Sequence, residues 1–120
     1  MTAQQRRAIG GYGEAVAARH LVAQGMVLID ANWRCALGEL DLVLRDGDTL
    51  VICEVKTRTT EAFGSPLEAV DETKLDRLVH LGDRWIAEHD AHPADVRVDL
   101  VSVLRSRHGA ATVEHVRGVA

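Results

Sequence analysis

Two aliphatic runs, residues 40–44 and 49–55, flank the dipeptide Asp46-Gly47, and no other stretch constrains the fold as much. Asp-Gly between such runs is a strong hairpin signal, because both positions of the tight loop favour positive φ. With Asp46-Gly47 as the loop, Val43 is expected to face Leu50, Asp41 to face Ile52, and Glu39 to face Glu54. Alternation then puts Glu39, Asp41, Glu54 and Lys56 on one face, at the hairpin's open end. Leu40, Leu42, Leu44, Val51, Cys53 and Val55 share the opposite face, an apolar surface that should press against helices.

Like charges facing each other on a sheet repel, so Glu39, Asp41 and Glu54 call for a positive partner. Lys56 supplies one charge and a divalent cation would supply two. Carboxylate oxygens are the hard ligands that Mg²⁺ and Mn²⁺ prefer, and Mg²⁺ commonly takes one or two carboxylates and completes its shell with water and phosphate. The cluster therefore reads as a metal site open to a phosphate. Alternatives stand beside each residue. Lys56 is equally placed to pair with Glu54 or Glu39, Glu39 to be a solvated strand end, and Glu14 to be an acid favoured by a helix N-terminus. An edge-strand role for Asp41 and Glu54 conflicts with their apolar neighbours.

Asp41 followed by Glu54-Val55-Lys56 resembles the signature of the PD-(D/E)XK nuclease superfamily. Gly13-Glu14, Asn32-Trp33-Arg34, Gly38-Glu39-Leu40-Asp41-Leu42, Glu54-Val55-Lys56-Thr57-Arg58 and Phe63-Gly64-Ser65-Pro66 resemble, more closely, the bacterial YraN-type family of small endonuclease-like proteins. The likeness runs from about the first helix to the last strands. Leu40 stands where the superfamily's name has proline, which its members often lack. Glu14 gives a weaker likeness to archaeal Holliday-junction resolvases, where a first-helix glutamate joins the metal ligands.

The resemblance implies a restriction-endonuclease-like αβββαβ core, a central mixed sheet flanked by helices, spanning 1–120 as one domain. It implies that Asp41 and Glu54 hold Mg²⁺ or Mn²⁺, with the Val55 carbonyl and with Glu14 or Glu39 completing the site. Lys56 would orient or deprotonate the attacking water or stabilise the negative phosphorane. Arg34, Thr57, Arg58 and Lys74 are the expected nucleic-acid contacts, and Arg6, Arg7, Arg77 and Arg84 further candidates to border a groove. The analogy with junction resolvases, which act as pairs, points to a homodimer.

At 120 residues and 47% hydrophobic content the chain is long enough for one real core. With no leading apolar run of signal length and no stretch of 18 apolar residues, a soluble cytoplasmic protein with no membrane partner is expected. Cys35 and Cys53 lack a C-x-x-C partner, so neither zinc nor a disulfide is expected. A net charge of −4 opposes a DNA-coating role. Setting Glu14, Glu39, Asp41 and Glu54 aside from the 18 acids, however, leaves 14, equal to the Lys and Arg count.

The remaining pattern predicts a helix over 8–24, with Glu14, Ala18 and Leu21 along one stripe, ended by Gly25. A first strand follows over 26–31 and a turn over 34–37. A polar loop at 59–64 leads to a capping box at Ser65-Pro66-Leu67-Glu68 and a short helix. Asp71 caps a longer helix to about Glu88, with Leu75, Leu78, Val79, Gly82, Trp85 and Ile86 inward. Strands are expected over 96–104 and 112–116, with Asp99 a candidate buried partner for a basic group. Gly10-Gly11-Tyr12-Gly13 lacks the strand and spacing of a phosphate loop and fits close helix packing or a helix start. With 3% aromatic residues there is no stacking platform.

Metal-dependent phosphodiester hydrolysis of nucleic acid by a DNA endonuclease is the resulting expectation. Two alternatives stay open: a module of the same fold that binds branched DNA without turnover, and an interaction protein whose carboxylates serve stability alone.

Overall fold

The computed structural model describes residues 11–58, 70–106 and 109–120. The described elements are α1 (Tyr12–Ala23), β1 (Val27–Cys35), β2 (Gly38–Asp46), β3 (Thr49–Arg58), α2 (Glu72–Glu88), β4 (Asp95–Leu104) and β5 (Thr112–Val116). The strands form one sheet in sequence order, antiparallel at every step except β3 to β4, which is parallel. A parallel step needs a crossover, and α2 lies within it. No described helix is long and apolar enough to cross a membrane.

The two described helices cover opposite faces of the sheet. Ala17, Ala18 and Leu21 of α1 pack with Leu42, Leu44, Val51, Cys53, Val55, Val101 and Val103. Leu78, Leu81 and Trp85 of α2 pack with Leu40, Val43, Leu50, Ile52 and Val98. Successive residues of β2 and β3 thus feed alternate layers, which is why both strands read as nearly continuous apolar runs. Truncating a fully buried member such as Ile52 to Ala costs about 2–5 kcal/mol. α2 lies close on the sheet because Gly82 has no side chain: a Cβ there would stand 3.1 Å from Ile52.

The hairpin closes one residue later than expected. Asp46 pairs with Thr49, so the loop is Gly47-Asp48, and only Gly47 takes positive φ (62°) within it. Glycine first is one of the two favoured two-residue loops. Val43 consequently faces Ile52, not Leu50, and Leu42 faces Cys53. Relative to the expected register every partner moves by two, an even step, so within the paired stretch from Leu42 to Asp46 no side chain changes face.

Leu40 departs from its expected layer and packs on the α2 side with Trp33, its partner across β1. Asn32 between the flanking β1 residues has φ 52°, which breaks the alternation there. β1 also runs to Cys35, beyond the expected end at residue 31, so the tight turn is confined to Ala36-Leu37. On α2 the buried stripe is Leu78, Leu81, Gly82 and Trp85, while Val79 is 40% exposed. α1 begins at Tyr12 with Gly11 as its cap among the described residues. The loop at 59–64, the capping box at 65–68 and residues 8–10 lie outside the described residues.

Beyond α1, the sheet carries a polar network. Asp99 is fully buried and receives both Nε and Nη2 of Arg97 (2.8 and 3.1 Å) and the Gly118 N–H (3.0 Å). His115 Nε2 lies 2.8 Å from the same carboxylate. Arg97 and Arg117 both reach Asp46 beside the hairpin loop, at 3.1 and 2.9 Å. Burial pushes the Asp99 carboxyl up. The hydrogen bonds from Arg97, Gly118 and His115, with the Arg97 charge, outweigh it and hold the group below its usual range.

Candidate active site

The ladder between β2 and β3 ends at Leu42 and Cys53, although β2 starts at Gly38 and β3 runs on to Arg58. In the fork beyond it the Val55 N–H donates to Asp41 Oδ2 at 2.8 Å, a side chain taking a donor that the neighbouring strand leaves unused. Asp41 also shares a hydrogen bond with the Glu54 carboxyl. Burial, that shared bond and the charges of Glu54 and Glu14 outweigh the Val55 bond and push the Asp41 carboxyl up to about 7. Two acids in contact cannot both ionise cheaply, so Asp41 holds a proton close to neutral pH.

α2 brings cations to this pair. Asp71 caps the helix by accepting from the Lys74 N–H at 2.9 Å, which fixes Lys74 in the first turn. Its Nζ stands 3.4 Å from Glu54 Oε2. Together Gly38, Glu39, Asp41, Glu54, Lys74, Arg77, Leu78 and Leu81 line a cleft of about 270 Å³. Gly38 enters it with φ 145°, a backbone geometry that side chains disfavour. Glu39, at its edge, pairs with Arg34 Nε at 3.3 Å.

α1 closes the site from the other layer. Gly13 is buried against Thr57, whose Oγ1 a Cβ at residue 13 would overlap, so close helix packing is what this glycine permits. Glu14, one residue on, is near enough for its charge to act on Asp41. Tyr12 stacks beneath the Arg105 guanidinium, 4.7 Å from the ring centre, and the Arg105 N–H donates to the Arg58 carbonyl at 2.7 Å.

Of the residues singled out by sequence, Asp41, Glu54, Glu39 and Lys74 meet in the cleft, with Glu14 behind Asp41. Val55 joins through its N–H. Lys56 is exposed two residues beyond Glu54 and lines no part of the cleft. Arg34, Thr57 and Arg58 do not line it: Arg34 reaches it only through Glu39, and Thr57 packs against Gly13 of α1. Arg6 and Arg7 lie outside the described residues. Sequence reasoning named Lys74 but missed its contact with Glu54, and missed the Tyr12/Arg105 pair altogether. The capping Asp71 three residues before Lys74 signalled its place in the first turn of α2, not its partner.

Among the described residues no three His, Cys, Asp or Glu side chains already form a metal cage. The donor chemistry nonetheless fits Mg²⁺ or Mn²⁺: two carboxyls sharing a hydrogen bond, Asp41 kept protonated near neutrality by burial and by its Glu54 neighbour, beside an open cleft. Cys53 is no competing ligand, because burial and the charges of Asp99, Asp41 and Glu54 push its thiol up. A larger cleft, about 580 Å³, opens at the hairpin-loop end among Ile29, Leu50, Trp85 and Pro93. Asp48 is the single acid lining it, and its walls lack paired carboxylates.

Residues 13–103 match the model of the uncharacterised protein family UPF0102. A UPF0102 protein of Beutenbergia cavernae is 62% identical over 112 residues, covering 93% of this chain and 95% of the relative. Those of Nocardioides sp. and Streptomyces coelicolor are each 54% identical, covering 95% and 96% of this chain and 92% and 90% of their own.

Proposed function

Because the chain belongs to the UPF0102 family, whose description names no activity, we propose its function from its own chemistry: metal-dependent phosphodiester hydrolysis of nucleic acid, as a DNA endonuclease. The observation that carries this reading is the Asp41/Glu54 carboxyl pair, sharing a hydrogen bond in a cleft that also presents Lys74 and Arg77. A passive strand face has no use for an acid kept protonated near pH 7. The αβββαββ order of described elements agrees with a restriction-endonuclease-like core.

In this reading Asp41 and Glu54 hold Mg²⁺ or Mn²⁺, which supplies Lewis acidity toward a phosphate oxygen and a more acidic water. Asp41 gives up its proton as it takes on this role. The Val55 N–H keeps the Asp41 carboxylate pointed into the cleft. Lys74 and Arg77 offer charge to the scissile phosphate and its neighbour. Lys56, on the Glu54 face of β3, orients the attacking water or meets the developing phosphorane charge once substrate covers it.

A panel of labelled duplex, single-stranded and four-way-junction DNA, and of RNA, incubated with Mg²⁺ or Mn²⁺ tests the proposal. Cleavage that disappears in Asp41→Ala and Glu54→Ala is expected, and absence of cleavage on every substrate refutes it. The exposed position of Lys56, outside the cleft, favours one second reading: a module that binds branched DNA without turnover. Salt-sensitive junction binding with intact substrate would select it.

A further inference from the structure

Lys74 occupies an unusual place for a cation. The first turn of a helix favours anions, and Glu72 in the same turn follows that rule. Lys74 is held there by the opposite charge of Glu54, at 3.4 Å, longer than a well-formed charged hydrogen bond. The Lys74 side chain is 29% exposed and that of Glu54 15%, so the ammonium faces the open cleft while the carboxylate lies deeper. The backbone of Lys74 is fixed by the Asp71 cap, whereas its four-carbon stem is flexible. Arg77 lines the same cleft one helical turn further on.

We propose that Lys74 is an exchangeable counter-ion: it neutralises Glu54 in the metal-free protein and turns to a phosphate of bound nucleic acid when a divalent cation takes over the carboxylates. This rests on the phosphodiesterase reading above and adds to it a coupling between metal and substrate. A divalent cation touching Glu54 removes the attraction that holds the ammonium and repels it. A phosphate arriving over the first turn of α2 gains both the released ammonium and the favourable helix end. Metal and nucleic acid therefore bind cooperatively, and by linkage each raises the affinity of the other by the same factor. The device also keeps an unloaded site from presenting the bare Glu54 carboxylate to a polyanion.

The test uses the whole chain and its Lys74→Gln and Lys74→Met variants, two neutral replacements so that one poorly folding protein does not decide the matter. Mn²⁺ is titrated calorimetrically into each protein alone, with wild type and Asp41→Asn as reference. Binding of a labelled DNA duplex is then followed against salt with and without Ca²⁺, the same samples being checked for cleavage products. The neutral variants are expected to bind Mn²⁺ about three- to tenfold tighter than wild type, having lost a competing charge. Their salt dependence should be shallower than wild type by about 0.9 in log–log slope in the presence of Ca²⁺, and equal to it without metal. Mn²⁺ affinity that is unchanged or weaker in both variants overturns the inference. So does a slope that drops equally in both conditions, the mark of a permanent phosphate contact. Wild-type protein with no Asp41-dependent Mn²⁺ binding refutes instead the proposed function on which the inference stands.

Discussion

Asp41 and Asp99 sit on strands flanking β3, and their surroundings treat them in opposite ways. Asp99 is the more deeply buried, yet an arginine, a histidine and a backbone amide hold its charge and lower its pKa. Asp41 is only half-buried, yet it faces Glu54, feels Glu14 and holds its proton up to about pH 7. Burial alone does not decide whether a carboxylate keeps its charge or its proton. What decides is whether the fold has supplied the compensating charge. Around Asp99 it has. Around Asp41 the nearby lysine is engaged by Glu54 instead, and on our reading a metal supplies the rest.

The sharpest way to break this contrast is to remove each acid. Asp41→Ala or Glu54→Ala should lower cleavage about a thousandfold, equivalent to about 4 kcal/mol in the barrier, while the fold by circular dichroism stays intact. Asp99→Ala should do the reverse. It leaves Arg97 without its buried partner and is expected to cost about 3 kcal/mol in urea unfolding. If Asp99→Ala is neutral in stability, the division of labour is wrong.

The pH dependences run in opposite senses. Folded Asp41 keeps its proton to about pH 7 but gives it up near 3.8 when unfolded, so the folded state binds the extra proton between those values. Its contribution to stability is present at low pH and is lost as pH rises toward 7. Asn imitates the protonated acid, so Asp41→Asn should be more stable than wild type by about 2 kcal/mol at pH 8, roughly half of what the full shift implies because solvent screens a half-buried group, and equal to it near pH 4. Mn²⁺ affinity of the wild type should climb through pH 7 for the same reason. The lowered Asp99 instead contributes above its unfolded value, and that contribution is lost only as acid titrates the folded carboxyl. Smallest of all, His115→Gln removes one of the contacts to Asp99 and should cost about 1 kcal/mol by thermal melting.

Much of this was legible from residue order, for identifiable reasons. Leu40 apart, the faces of β2 and β3 survived a misplaced turn because alternation has period two and the error was even. Asp99 announced its need for a basic partner by standing between Val98 and Leu100, and Asp71 announced its cap by position. What failed depended on tertiary geometry. Val79 and Leu81 are both compatible with an amphipathic α2, and packing against Leu40, Val43 and Ile52 buries Leu81. Leu40 changed layers because Asn32, on the neighbouring strand, adopts an uncommon conformation. The ion pair between Lys74 and Glu54 joins residues twenty positions apart across a crossover, which no local pattern encodes.

The fork between β2 and β3 has one more consequence. Val55 lends its amide proton to a side chain that titrates, where a continued ladder would have locked it to a neighbouring strand. In a nitrogen-proton NMR spectrum that single resonance becomes a built-in reporter for the Asp41 charge. It should shift with an inflection near 7 and lose the inflection in Asp41→Asn. The proposed metal binding is then testable in solution without substrate, label or turnover.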